Sequence, residues 1–171
     1  MKTRYISMFL FLMLLLLLSA CSVSIDEELK EARPAVEEAF NSKAKEANNE
    51  NEHIQYYLPF GFEIEDESTP NNIILKNGSK TYILFYNQQE EADSEVVYEA
   101  TIKQKEYDMN ELYQDDQKFG FFLLKEIGDD RYELTVGIGG VKVTSEVKAR
   151  NIKSEASTMM IIANSVVNKQ D

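Results

Sequence analysis

The hydrophobic positions along this chain change period three times. Tyr5 to Leu18 is almost continuously apolar, interrupted only by Ser7. From Ile25 the apolar residues Ile25, Leu29, Ala32, Val36, Ala39 and Phe40 recur at helical spacing. Beyond Ile54 the period shortens to that of strands, and from Ala156 it returns to helical. Ala156, Met159, Met160, Ala163, Val166 and Val167 form one stripe, which Ile161 and Ile162 widen.

The first helical pattern opens on Ser24-Ile25-Asp26-Glu27, a capping box in which Glu27 stands three residues after Ser24. Pro34 lies inside it, lacking an N–H and crowding the preceding turn. The helix therefore either kinks there or starts at Pro34 and runs to about Ala47, with Asn48–Glu52 as its polar exit.

A short strand is expected near Phe62–Glu65. Ile73–Leu75 and Lys80–Tyr86 flank Asn77-Gly78, a dipeptide that tolerates the positive φ of a tight hairpin. Val96–Ile102 is expected as a further strand, and Lys103–Lys118 as a long loop or as a short helix around Met109–Tyr113. Phe119–Ile127, Arg131–Ile138 and Val141–Val147 are three strand-like runs, separated by Gly128-Asp129-Asp130 and Gly139-Gly140. Along the last run Val141, Val143, Ser145 and Val147 alternate with Lys142, Thr144, Glu146 and Lys148, the pattern of a half-buried antiparallel strand. Ser154 is positioned to cap the final helix. The order helix, strands, helix predicts an α+β fold, an antiparallel sheet of about six strands with an N-terminal and a C-terminal helix packed on it.

Charge and the single cysteine change the picture at the N-terminus. Lys2 and Arg4 precede the apolar run, which is marginal for a spanning helix but suits a signal-peptide core. It ends in Leu18-Ser19-Ala20-Cys21, which resembles the lipobox of bacterial lipoproteins. That resemblance covers only the first 21 or so residues. It implies diacylglyceryl transfer to the Cys21 thiol and cleavage before Cys21. The expected layout is a signal peptide over 1–20, a lipidated tether over 21–25 and one extracytoplasmic domain over 26–171. Cleavage would lower the formal charge from −12 to about −14. With Cys21 committed to lipid and no second cysteine, neither a disulfide nor thiol catalysis is expected.

The remaining candidates for chemistry are sparse. His53 is the only histidine, and zinc binding is disfavoured for want of clustered His and Cys ligands. Gly137-Ile138-Gly139-Gly140 superficially resembles a nucleotide loop, but a valine-rich strand follows where a phosphate loop needs a helix N-terminus. Glu63, Glu65 and Glu67 would share a strand face, and Glu90, Glu91, Asp93 and Glu95 a loop. Neither set has EF-hand spacing. No cofactor or metal is expected. The acidic chain disfavours nucleic acid. Lys142, Lys148, Arg150, Lys153 and Lys169 make the C-terminal region locally basic against Glu146 and Glu155, an asymmetry able to face anionic lipid, though a surface helix with ordinary charges is the simpler reading.

Tyr56, Tyr57, Phe60 and Phe62, gathered around Pro59 and Gly61, are the candidate binding surface if exposed, and otherwise close the core. Leu58–Glu63 and Ile162–Ser165 are loosely similar to strings in small Bacillus-type lipoproteins of unknown function. The reading carried forward is a non-enzymatic, lipid-anchored cell-envelope domain that binds a protein or envelope component. The alternative is a glycan- or peptide-binding module using the aromatic turn. A third reading, an envelope hydrolase, requires two acids about 5–10 Å apart in a cleft.

Overall fold

The computed structural model of the chain describes residues 25–169. The cut before Cys21 and the Ser24 half of the capping box lie outside the described residues. Helix α1, Ile25–Asn41, runs unbroken through Pro34 and buries Ala32, Val36, Ala39 and Phe40. Pro34 is exposed, so the Lys30 carbonyl it leaves unpaired faces solvent. The helix stops at Asn41, well before Ala47, and the carbonyls around its C-terminus are capped from elsewhere. Lys118 Nζ donates to the Phe40 carbonyl at 2.6 Å, and Asn164 Nδ2 donates to those of Ala39 and Ser42.

The stretch expected as a polar exit forms instead a strand, β1 (Asn49–Glu50), paired with β2 (Ile54–Tyr56). Asn51 Oδ1 accepts from the backbone N–H groups of His53 and Ile54, both at 2.9 Å, which closes the turn between them. The main sheet comprises β3 (Phe62–Asp66), β4 (Asn72–Asn77), β5 (Lys80–Tyr86), β6 (Met109–Gln114), β7 (Phe119–Gly128), β8 (Arg131–Ile138) and β9 (Val141–Lys148). Its order is β3-β4-β5-β9-β8-β7-β6 and every pairing is antiparallel. The sheet has seven strands, in line with the six or so expected, and with the N-terminal and C-terminal helices packed on it the fold is α+β. Met109–Gln114, expected as loop or helix, is an edge strand beside β7.

Val96–Ile102, expected as a strand, is helix α2. Its Val-Val-Tyr run has high strand propensity, yet Val97, Tyr98 and Thr101 fall on one helical face and are buried. Val97 and Tyr98 cover Phe119, Phe121 and Leu123 on the outer face of the sheet. Packing overrides local propensity there. Helix α3, Ile152–Asn164, follows a 3-10 turn at Ala149–Asn151. Asn151 rather than Ser154 is its N-cap, and Ser154 Oγ bonds back to the Asn151 carbonyl at 3.1 Å. Strand β10 (Val167–Asn168) then pairs with β2, completing a small three-stranded sheet.

Helices α1 and α3 lie parallel on the inner face. Their N-terminal turns meet where Lys153 Nζ binds Glu31 at 2.7 Å, and their C-termini where Asn164 reaches Ala39. The core between them and the sheet is formed by Phe40, Tyr82, Leu84, Phe122, Leu134, Val136, Val143, Ile152, Met159 and Met160. Two ends follow. The near end holds the N-termini of α1 and α3, the Asn77-Gly78 hairpin and the Gly128–Asp130 turn. The far end holds the helix C-termini, the Gly139-Gly140 turn and the small sheet.

Candidate functional site

The outer face of the sheet is covered only in part. Alternation directs Ile83 and Phe85 of β5, Lys142 and Thr144 of β9, and Glu133 and Thr135 of β8 away from the core. Helix α2 shelters β7 but stops short of these strands. Between its C-terminal end and their side chains is a hollow of about 420 Å³. Thr101, Gln104, Lys105 and Tyr107 wall it, and Asn72 stands at its β4 side.

Lys142 is the half-buried centre of this hollow. Its ammonium donates to Thr101 Oγ1 at 3.1 Å, and Thr101 in turn donates to the Val97 carbonyl at 2.7 Å. One of three ammonium hydrogens is so engaged. The Phe85 ring lies 5.6 Å from the same nitrogen. Among the described residues no carboxylate comes within ion-pair distance of Lys142. The nearest candidate, Glu133, is held by Lys105 at 2.6 Å. Burial pulls the Lys142 ammonium below the ordinary lysine range; Glu133 opposes the shift and Lys105 reinforces it. Burial, aided by the Glu133 charge, pushes the Tyr107 phenol up to about 12. Thr135 and Thr144, opposite one another in register, bond hydroxyl to hydroxyl at 3.0 Å. The hollow thus presents an under-paired cation, hydroxyls and two side-chain amides between apolar walls. Such a surface holds an anion and orients its neighbouring polar groups.

The residues singled out in the sequence are dispersed by the fold. Tyr56 is wholly buried, and Phe62 packs on Tyr82 with ring centroids 4.9 Å apart. Tyr57 is half-buried, its N–H bonded to Ser165 Oγ at 2.9 Å. Phe60 alone stands fully in solvent, at 104% relative exposure. The four rings therefore form no continuous platform.

His53 is exposed, its carbonyl accepting from the Lys169 N–H at 2.8 Å. Gly139 and Gly140 turn β8 into β9, and a Cβ on Gly139 would come 2.2 Å from the Glu91 carbonyl oxygen. Glu63 and Glu65 lie on the exposed edge strand, where Glu65 pairs with Lys76. A bulge between Ile64 and Asp66 breaks the alternation before Glu67, so the three do not form one regular row. Lys142 is separated from the other basic residues of its region: Lys148, Arg150 and Lys153 lie at the near end, and Lys169 lies at the far end, where it pairs with Glu50 at 2.9 Å.

A second groove, about 490 Å³ at the far end, is lined by Asn87, Glu90, Lys118 and Asn164. Its principal cation is already engaged: Lys118 caps α1 and lies 4.6 Å from the Phe40 ring centroid. Among the described residues no group of three His, Cys, Asp or Glu side chains is placed to share a metal ion.

The hollow was not legible as a site in the sequence. Lys142 and Thr144 read as the polar face of a strand, and Thr135 falls within the strand-like run Arg131–Ile138. Only the register beside β5 and the turn of α2 bring them together. Compared with known proteins, the chain matches no protein-family model and no curated sequence.

Proposed function

We propose that this protein is a lipid-anchored extracytoplasmic binding domain, held to the membrane through Cys21, that captures an anionic group of a cell-envelope component at Lys142. The anchor is supported by the basic start, the apolar core and Leu18-Ser19-Ala20-Cys21. Mass spectrometry of the protein recovered from cell membranes tests it. A diacylglyceryl group on Cys21 is the expected result, and an unmodified thiol would remove the anchor.

The binding role is carried by one observation, the half-buried Lys142 ammonium with a single hydroxyl acceptor and no carboxylate partner. Removing a charge from water is costly unless a counter-charge meets it. An incoming carboxylate or phosphate would supply that partner, with Thr101 and Gln104 beside it and Phe85 and Tyr107 against its apolar body. Loss of one charge-assisted hydrogen bond weakens binding by about 1.5–3 kcal/mol, roughly 10- to 100-fold.

Titration of the isotopically labelled protein with N-acetylmuramyl dipeptide, a carboxylate probe, and glycerol 3-phosphate, a phosphate probe, separates the two anion classes. One or both should shift the signals of Lys142 and Thr101, with dissociation constants below about 10 mM. Lys142→Met keeps the aliphatic stem and removes the charge, and it should abolish the shifts. The assignment fails if neither probe acts, or if Lys142→Met binds as the parent does.

A further inference from the structure

We infer that Phe60 is a second membrane contact, seating the near end of the domain in the bilayer interface. The inference rests on the Cys21 anchor proposed above, and adds to it an orientation.

Phe60 and Gly61 form the tip of a turn in which the Phe62 N–H donates to the Pro59 carbonyl at 3.1 Å. Gly61 takes φ 88° there. Phe62 pairs with Asn77, the last residue of β4, and Asn77 pairs across its hairpin with Lys80. The Phe60 turn therefore lies at the near end of the sheet. Lys80 binds Glu155 in the first turn of α3, and Lys153 of that turn binds Glu31 of α1. These links put the start of α1 at the same end.

Ile25 opens α1 four residues after Cys21. Four residues reach at most about 14 Å when fully extended. A domain so tethered keeps its near end within roughly a side-chain length or two of the headgroups.

At that end an aromatic ring with no packing neighbour serves no purpose in the fold. Phe60 is the most exposed of the large apolar side chains among the described residues, and Ile127, at 42% exposure, is a second one at the same end. Lys148 and Arg150 form no ion pair among the described residues, and Asp129 and Asp130 stand near them. Asp26, Glu27 and Glu28 open α1 at the same end, so the local charge is not basic and the contact depends on apolar insertion rather than attraction to anionic lipid. An aromatic ring at a turn tip can enter the interface without unfolding anything behind it.

The chain holds one cysteine and no tryptophan, which makes a direct test simple. Mature protein from Cys21 onward is coupled through its thiol to a maleimide-bearing phospholipid in phosphatidylcholine–phosphatidylglycerol vesicles. The anchor is then supplied chemically, whatever cells do to Cys21, so failure here counts against the Phe60 contact and not against lipidation. Phe60→Trp is expected to shift its emission to shorter wavelength and lose intensity to lipids brominated in the acyl chain. Val167→Trp, at the far end, should do neither. A Phe60→Trp signal unchanged from buffer overturns the inference. Equal quenching of both reporters also overturns it, since the domain would then lie on the bilayer without a preferred end.

Discussion

Tyr82 donates its phenolic hydrogen to Glu155 Oε2 across 2.8 Å, while Lys80 engages the other carboxylate oxygen. One buried acid thus ties β5 to the first turn of α3 and satisfies two donors. Glu155→Ala should cost about 2–4 kcal/mol, because it leaves a buried hydroxyl and a partly exposed ammonium without this acceptor. The upper part of that range is discounted for Lys80, whose side chain is 37% exposed. Glu155→Gln retains an oxygen for Tyr82 and should lose only about 1 kcal/mol. Urea denaturation of the two variants checks the order. Equal losses would mean that the charge, not the hydroxyl bond, carries the contact.

How this contact arises shows what was legible beforehand. The α3 stripe, the β5 run and the Asn77-Gly78 hairpin all follow from periodicity and turn chemistry. Glu155 does not, since an acid in the first turn of a helix reads as an ordinary dipole partner. Val96–Ile102 was misread because β-branched and aromatic residues at consecutive positions satisfy either period. Only the apolar face of Phe119, Phe121 and Leu123, which the helix buries, decides between them. The Lys142 hollow draws on β4, β5, β8, β9 and the α2 exit, so no local window contains it. Aromatic density around Pro59 was visible, but the division of Tyr56 to the core and Phe60 to solvent depends on the turn between them.

Alkaline conditions should destabilise this fold. Burial raises the phenols of Tyr56, Tyr82, Tyr107, Tyr113 and Tyr132, with Tyr56 and Tyr107 reaching about 12. In the unfolded chain they ionise near 10. The folded state therefore holds more protons above that value, and stability falls as pH rises through 10 toward the folded values. It is fully present below. Urea midpoints at about pH 8 and about pH 11 should differ markedly, and tyrosinate absorbance should appear together with unfolding. Ionisation of these five phenols near 10 in the native protein, followed residue by residue, would contradict the burial argument.

Gly137 has no room for a side chain. A Cβ there would lie 2.3 Å from the Phe121 ring and 2.5 Å from the Val141 carbonyl oxygen. Phe121 could swing away only by disturbing its packing against Tyr98. Gly137→Ala should cost about 1–3 kcal/mol or more. Gly78 is the useful contrast, with φ +61° and open space around its Cβ position. Gly78→Ala should cost only about 1 kcal/mol, and Gly78→Asn less. Thermal denaturation of the three variants separates steric from conformational cost.

Tyr56 offers the opposite case, a polar atom whose removal should help. Its hydroxyl is buried without a hydrogen-bond partner among the described residues. Burying a hydroxyl unpaired costs about 1–3 kcal/mol. Tyr56→Phe keeps the ring and should raise stability by about 0.5–1.5 kcal/mol. A higher melting temperature is the expected reading. A lower one would show that the hydroxyl contributes through a contact formed in solution.

Lys142 is where binding and stability should trade against each other. Its folded pKa is depressed, so the cost of holding it charged is present in full at neutral pH. That cost is relieved only as pH rises through the folded value toward the unfolded one near 10.4. A residue kept for packing would not be left in that state, because the same stem without its ammonium fits as well. Lys142→Met should therefore leave stability unchanged or raise it by up to about 1 kcal/mol, while anion binding is lost. The decisive measurement is a pair of urea curves set beside the probe titrations. If Lys142→Met is instead destabilised by more than about 1 kcal/mol, the bond to Thr101 is a structural tie between β9 and α2. The hollow would then be a by-product of that tie rather than a site.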